Sequence, residues 1–93
     1  MRDLKKMRSR IDATDKKLID VLSQRFLITR EVGEYKKEHG LKTKDAKREK
    51  EMLAQRKKWA RESNIDPDLA DRIFKSIVRK VCQENQTTKN AKE

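Results

Sequence analysis

The sequence predicts an all-α protein built on one long N-terminal helix, and three observations lead there. Its 93 residues include two glycines and one proline, too few to punctuate a set of β-strands. Strong helix formers fill most of the chain. Apolar residues also recur at helical spacing near the N-terminus. Leu4, Ile11, Leu18 and Val32 fall on one line and Met7, Thr14, Val21, Ile28 and Tyr35 on the next, the seam of a helix packed against other helices.

The first helix is expected from near Asp3 to about Glu38, where His39-Gly40 offers a stop because glycine accepts positive φ. At the α-helical rise this is a rod of about 50 Å. A rod that long exceeds the width of a small globule, so it is either a coiled-coil arm or the spine of an intertwined dimer. Gly40 to Lys44 forms a short connection. Asp45 then caps a second helix reaching about Ser63, with Glu49 and Glu51 near its positive end. Its stripe is sparse: Ala46, Met52, Leu53, Trp59 and Ala60, with Arg48, Glu49 and Arg56 along the same side. Ser63-Asn64 ends it.

Asp66-Pro67 opens a third helix, since aspartate caps and proline is favoured at the first helical position. The stripe Leu69, Ala70, Ile73, Phe74, Ile77, Val78 and Val81 follows, and the pattern continues through Asn85. Residues 87–93 are polar and small and are expected to form a frayed tail behind a single domain over residues 1–86.

Hydrophobic residues are 33 % and charged residues 45 % of the chain, so three helices cannot cover their apolar faces with their own side chains. Helices from a second copy solve that. The net charge of +10 favours an anionic ligand without choosing among nucleic acid, an acidic membrane face and a small polyanion. The single cysteine, Cys82, excludes an intrachain disulfide, and no apolar run approaches the roughly 20 residues of a membrane span. The first residues lack a signal-peptide apolar core, so the cytoplasm is the expected compartment.

One His and one Cys do not build a zinc site, there is no glycine-rich phosphate loop, and no serine sits on a strand-to-helix elbow. Hydrolytic and metal chemistry have no visible parts, and no cofactor is expected. What remains is a set of cations on helix faces. Arg25 fills the gap in the seam between Leu18 and Val32, and burying a guanidinium without an anion costs roughly 3 to 5 kcal/mol. Its partner is either an intramolecular carboxylate, Glu49 or Asp45, or a ligand. Lys36 points within about 20° of Arg25, some 16 Å further along the axis. Arg8 lies about 25 Å from Arg25 and 42 Å from Lys36, so it joins their ligand only if two copies of the helix pair antiparallel. On spacing alone Arg8 and Lys36 also fit a solvated face, and Asn85 fits a helix-end polar residue. Phe74 and Trp59 read as core, Cys82 as an inert thiol and His39 as a loop residue.

Arg8, Ile11, Asp15, Leu18, Leu22, Arg25, Val32-Gly33 and Lys36 in the first helix, then Asp45-Ala46-Lys47-Arg48-Glu49, resemble the all-helical chorismate mutases of the AroQ class. Asp66, Arg72, Ile73 and Phe74 fall where that family has its third helix, and the likeness runs from about Leu4 to Gln86. The resemblance implies an intertwined homodimer of three-helix protomers that rearranges chorismate to prephenate on the path to phenylalanine and tyrosine. It implies that Arg25 and the partner's Arg8 hold the two carboxylates, and that Lys36 donates to the ether oxygen. Arg48 then supports the carboxylate end, Glu49 accepts from the ring hydroxyl, and Asp45 helps to bind that hydroxyl. The chain departs from the family pattern where a glutamine, or a glutamate in some branches, shares the ether oxygen with the lysine. Here that place is Asn85, one methylene shorter than glutamine, so either the helix sits closer, or Gln86 or Glu84 substitutes, or the second donor is weaker. Val81 makes the neighbouring wall more apolar than the small polar residue often found there.

Two other activities use the same cation cage, isochorismate pyruvate elimination and aminodeoxychorismate rearrangement. A basic dimer gripping nucleic acid is a reading of a different class. It is disfavoured by 16 acidic residues interleaved with the bases and by the four aromatics, which offer no stacking platform.

Overall fold

The computed structural model describes residues 3–42 and 44–90. It holds three helices, α1 over Leu4–Glu38, α2 over Ala46–Glu62 and α3 over Pro67–Asn90, and no strand among the described residues. Local chemistry explains each boundary but one. Asp3 caps α1 by accepting from the Lys5 amide, Asp45 caps α2 by accepting from the Arg48 amide, and Asp66 accepts from the Asp68 amide ahead of α3.

Both C-termini close in the same way. Gly40 and Asn64 take φ of 65° and 59°, and the next residue of each turns back on the helix. Leu41 N donates to Lys36 O at 2.7 Å and Ile65 N to Ala60 O at 2.8 Å, the six-to-one bond of a Schellman motif. The end of α3 differs from expectation. The helix continues to Asn90 instead of fraying after Gln86, because nothing in Gln86 to Asn90 breaks the hydrogen-bond ladder. Residues 91–93 lie outside the described residues.

Helices α2 and α3 form an antiparallel hairpin. Lys57 of α2 meets Asp71 of α3 at 3.9 Å, and Asp71 also takes Lys75 at 2.7 Å. The hairpin buries Met52, Ala60 and Ala70, the apolar core of the described residues. The C-terminal half of α1 lies along α3, with Arg30 4.0 Å from Glu84. Its N-terminal half projects away, and from Leu4 to Val21 every residue except Met7 is exposed. The long axis of the molecule is therefore 60 Å.

Along that arm the α1 seam has little intrachain cover: Leu4, Ile11, Leu18 and Val21 are 56 to 64 % exposed. Trp59, expected in the core, is 48 % exposed, because α1 does not cross the outer part of α2. A monomeric protein of 11.1 kDa exposes about 5,700 Å², whereas this chain exposes 8304 Å². The extended arm accounts for the excess. No helix among the described residues is long and apolar enough to cross a membrane.

The hydrogen bond from Lys75 holds the Asp71 carboxyl below its ordinary value against some desolvation, helped by the charges of Lys75 and Lys57. A carboxyl depressed in the fold stabilises above its unfolded pKa and loses that contribution as pH falls through the folded value. Asp71→Asn is therefore expected to lower Tm at pH 7, with the gap to the unaltered chain starting to close only as pH falls below about 4, read by circular dichroism melts across pH.

Candidate active site

Arg25 projects from α1 toward the α2–α3 hairpin, where the groups that it touches are soft and uncharged. One terminal nitrogen lies 3.7 Å from Met52 Sδ, and the guanidinium carbon lies 5.9 Å from the centre of the Phe74 ring. Among the described residues, ion pairs between helices join Arg30 to Glu84 and Lys57 to Asp71, and none reaches Arg25. The structural partners open to it in the sequence are not used. Asp45 Oδ1 accepts from the Arg48 amide at 3.0 Å, and Glu49, in the first turn of α2, is partly buried without pairing with Arg25. Burial, and then the charge of Arg48, pull the Arg25 guanidinium below its ordinary pKa. An arginine so placed stays protonated, and its environment disfavours the charge until an anion arrives.

Arg48, Met52 and Arg56 stand one turn apart along a single stripe of α2, so Arg25 reaches α2 midway between two further guanidiniums. Sequence reasoning placed Arg56 on that stripe without assigning it to the site. The signal was the spacing from Arg48 and Met52, but the contacts depend on α3. Arg56 lies over Trp59 at 4.9 Å and over Phe74 at 5.7 Å.

A second group of polar side chains forms two to three turns further along α1. A Cβ at Gly33 would stand 2.8 Å from Asn85 Oδ1 and 3.3 Å from its Cγ, so the Asn85 amide lies against the bare backbone of α1. Lys36, partly buried, is one turn further on the same side. The two alternatives to Asn85 are placed differently: Glu84 faces Arg30, and the Gln86 side chain lies outside the described residues. Arg8 is exposed on the projecting arm, about 25 Å from Arg25 along α1. A single chain does not bring it to the others. The hairpin and α1 thus bring Arg25 close to Arg48 at one end and Asn85 against Gly33 of α1 at the other, with Lys36 one turn beyond.

Residues 7–86 match the family chorismate mutase type II. The chain is 38 % identical over 90 residues to a T-protein of Enterobacter agglomerans, a match covering 97 % of this chain and 23 % of that protein. It is 28 % identical over 75 residues to a chorismate mutase of Methanocaldococcus jannaschii, covering 81 % of this chain and 76 % of that one. A 4-amino-4-deoxychorismate mutase of Streptomyces pristinaespiralis is 29 % identical over 77 residues, 83 % of this chain and 60 % of the relative. The chain thus spans about a quarter of the length of the T-protein. With a helical fold that the family pattern anticipates and a match over nearly its whole length, the chain belongs to the type II chorismate mutase family.

Proposed function

We propose that the chain rearranges chorismate to prephenate, the committed step toward phenylalanine and tyrosine, at two sites in an intertwined homodimer. The observation that carries this is the state of Arg25, a partly desolvated cation seated on Met52 and Phe74 with no carboxylate paired to it among the described residues. A substrate carboxylate supplies the missing charge. Arg48 adds to the same end, and Arg8 of the second copy takes the other carboxylate. Glu49 accepts from the ring hydroxyl beside Asp45.

The reaction asks little else of a protein. The ether C–O bond breaks as a C–C bond forms within one molecule, so no nucleophile or proton carrier takes part. Clamping both carboxylates folds the enolpyruvyl chain over the ring, and orientation of this kind is worth several kcal/mol. Negative charge grows on the ether oxygen as the bond opens. Lys36, with Asn85 beside it, donates there and binds the transition state more tightly than the ground state, which is the condition for raising kcat.

The uncovered seam of α1 supports the dimer. Antiparallel pairing of two such rods covers Leu4, Ile11 and Leu18 and brings Arg8 to the Arg25 end of its neighbour. The 4-amino-4-deoxychorismate mutase relative favours a second reading in which the ring hydroxyl is an amine, and product analysis with each substrate decides between them.

Purified protein is expected to consume chorismate without added metal, followed by loss of its absorbance; no loss above background overturns the reading. Arg25→Ala should lower kcat/KM by at least about 10³, the loss for a charge-assisted pair of roughly 4 kcal/mol, while the chain remains helical. Arg8→Ala and Arg25→Ala mixed as unfolded chains and refolded together should recover about a quarter of the unaltered activity, since half of the dimers then carry one intact site. An Arg8→Ala dimer as active as the unaltered one places Arg8 outside the site, and no recovery from two inactive parents overturns its contribution across the interface. Gly33→Ala sets about 1 kcal/mol of helix propensity against displacement of a short, mobile amide, so its stability changes by less than about 1 kcal/mol. Its kcat is expected to fall roughly tenfold or more as Asn85 is pushed from Lys36.

A further inference from the structure

Arg56 occupies a place where a charged side chain is poorly served. Its Nε is buried with no acceptor among the described residues. Its guanidinium is sandwiched by contacts to Trp59 at 4.9 Å and Phe74 at 5.7 Å, and one terminal nitrogen donates to Gln55 Oε1 at 3.0 Å. Burial, then Arg48, then Arg25 disfavour its charge. A methionine would cover the same two rings and strand no donor. Retention of a guanidinium there points to a role for the charge itself.

The fold shows what that charge meets. Phe74 serves Arg25 from 5.9 Å and Arg56 from 5.7 Å, so the two guanidiniums share one ring. Arg48 stands one turn to the other side of Met52. Arg25 is therefore flanked along α2 by like charges, with Met52 as its seat between them. Repulsion from both sides narrows the arc through which its long side chain swings, and both neighbours add to the positive potential over that seat.

We propose that Arg56 is a positioning residue for carboxylate binding at Arg25, an inference that rests on the mutase reading for the identity of the substrate but not for the presence of the anion site. It closes the Trp59 side of the cluster, keeps Arg25 over Met52 and raises the local potential, without itself touching the substrate. Its effect falls on binding and not on the bond-breaking step.

The test is Arg56→Met, which keeps the apolar stem, beside Arg56→Lys, which keeps the charge. With chorismate, Arg56→Met should raise KM about five- to tenfold with kcat within about twofold, and the gap should narrow between 20 and 500 mM salt. Arg56→Lys should stay within about twofold of the unaltered KM. The melting temperature of Arg56→Met should be unchanged or higher, since a stranded donor has been removed. A structural role predicts the reverse pattern, a lower Tm with kcat and KM failing together in the Met variant, and that result overturns the proposal. An unchanged KM in the Met variant overturns it as well. A chain inactive on chorismate overturns the mutase reading alone, and Arg56 is then read by titrating succinate against the fluorescence of Trp59, the single tryptophan. Affinity weakened by about fivefold or more in Arg56→Met supports the proposal; equal affinity, or no succinate response in the unaltered chain, overturns it.

Discussion

The structure depends on a rod that its own chain cannot cover. Helix α1 has 35 residues, and none of them is fully buried. Burying an apolar side chain of the size of leucine or isoleucine is worth about 1.5–3 kcal/mol, so the row Leu4, Ile11, Leu18, Val21 and Ile28 represents on the order of 10 kcal/mol of unused stabilisation. That is as large as the whole stability of an ordinary domain. Were a second copy to cover the row, folding and assembly would become one event. The same arm carries Arg8, so the event that would cover the seam is also the event that would complete a dicarboxylate clamp.

Against that background the surroundings of Arg25 read as preparation for binding. Sulfur and an aromatic face satisfy a guanidinium only weakly, and both Arg48 and Arg56 make its charge less comfortable. A nearby glutamate would stabilise the empty protein more, but it would then compete with every incoming carboxylate. Asp45 is kept from that role by its own task, since its side chain is committed to the amide of Arg48 at the start of α2. Stability forgone in the empty site becomes differential affinity when an anion enters, the usual exchange at functional sites.

How much of this was legible in the sequence follows from the range of each interaction. Caps are local, so Asp3, Asp45 and Asp66 as starts and Gly40 and Ser63-Asn64 as stops could be read directly. The end of α3 could not, because polarity suggests fraying while only glycine or proline compels a stop, and neither occurs there. Trp59 read as core because aromatic side chains are usually covered, yet its cover would have to come from beyond the hairpin. Arg56 read as one more base on a polar stripe. Its burial and its two rings come from the packing of α3 on α2, which spacing within α2 does not encode. For Arg25 the sequence left a choice between a structural carboxylate and a ligand, and only the three-dimensional assignment of Asp45 and Glu49 removed the first.

The two ends of the site are built by opposite means. At Arg25 bulk does the positioning, through Met52 below and Phe74 beside it. At Asn85 absence does it: the amide lies where a side chain of α1 would begin, so the missing Cβ of Gly33 determines how closely α3 approaches Lys36. An interior helical glycine costs about 1 kcal/mol against alanine, and nothing in the turn geometry of α1 requires one there. Of the ways in which a shorter residue can serve beside Lys36, a closer helix is the one that this contact favours. In this chain the Asn85 amide and the bare backbone of Gly33 thus fit against each other, and a side chain at either position that needs that space is felt at the other.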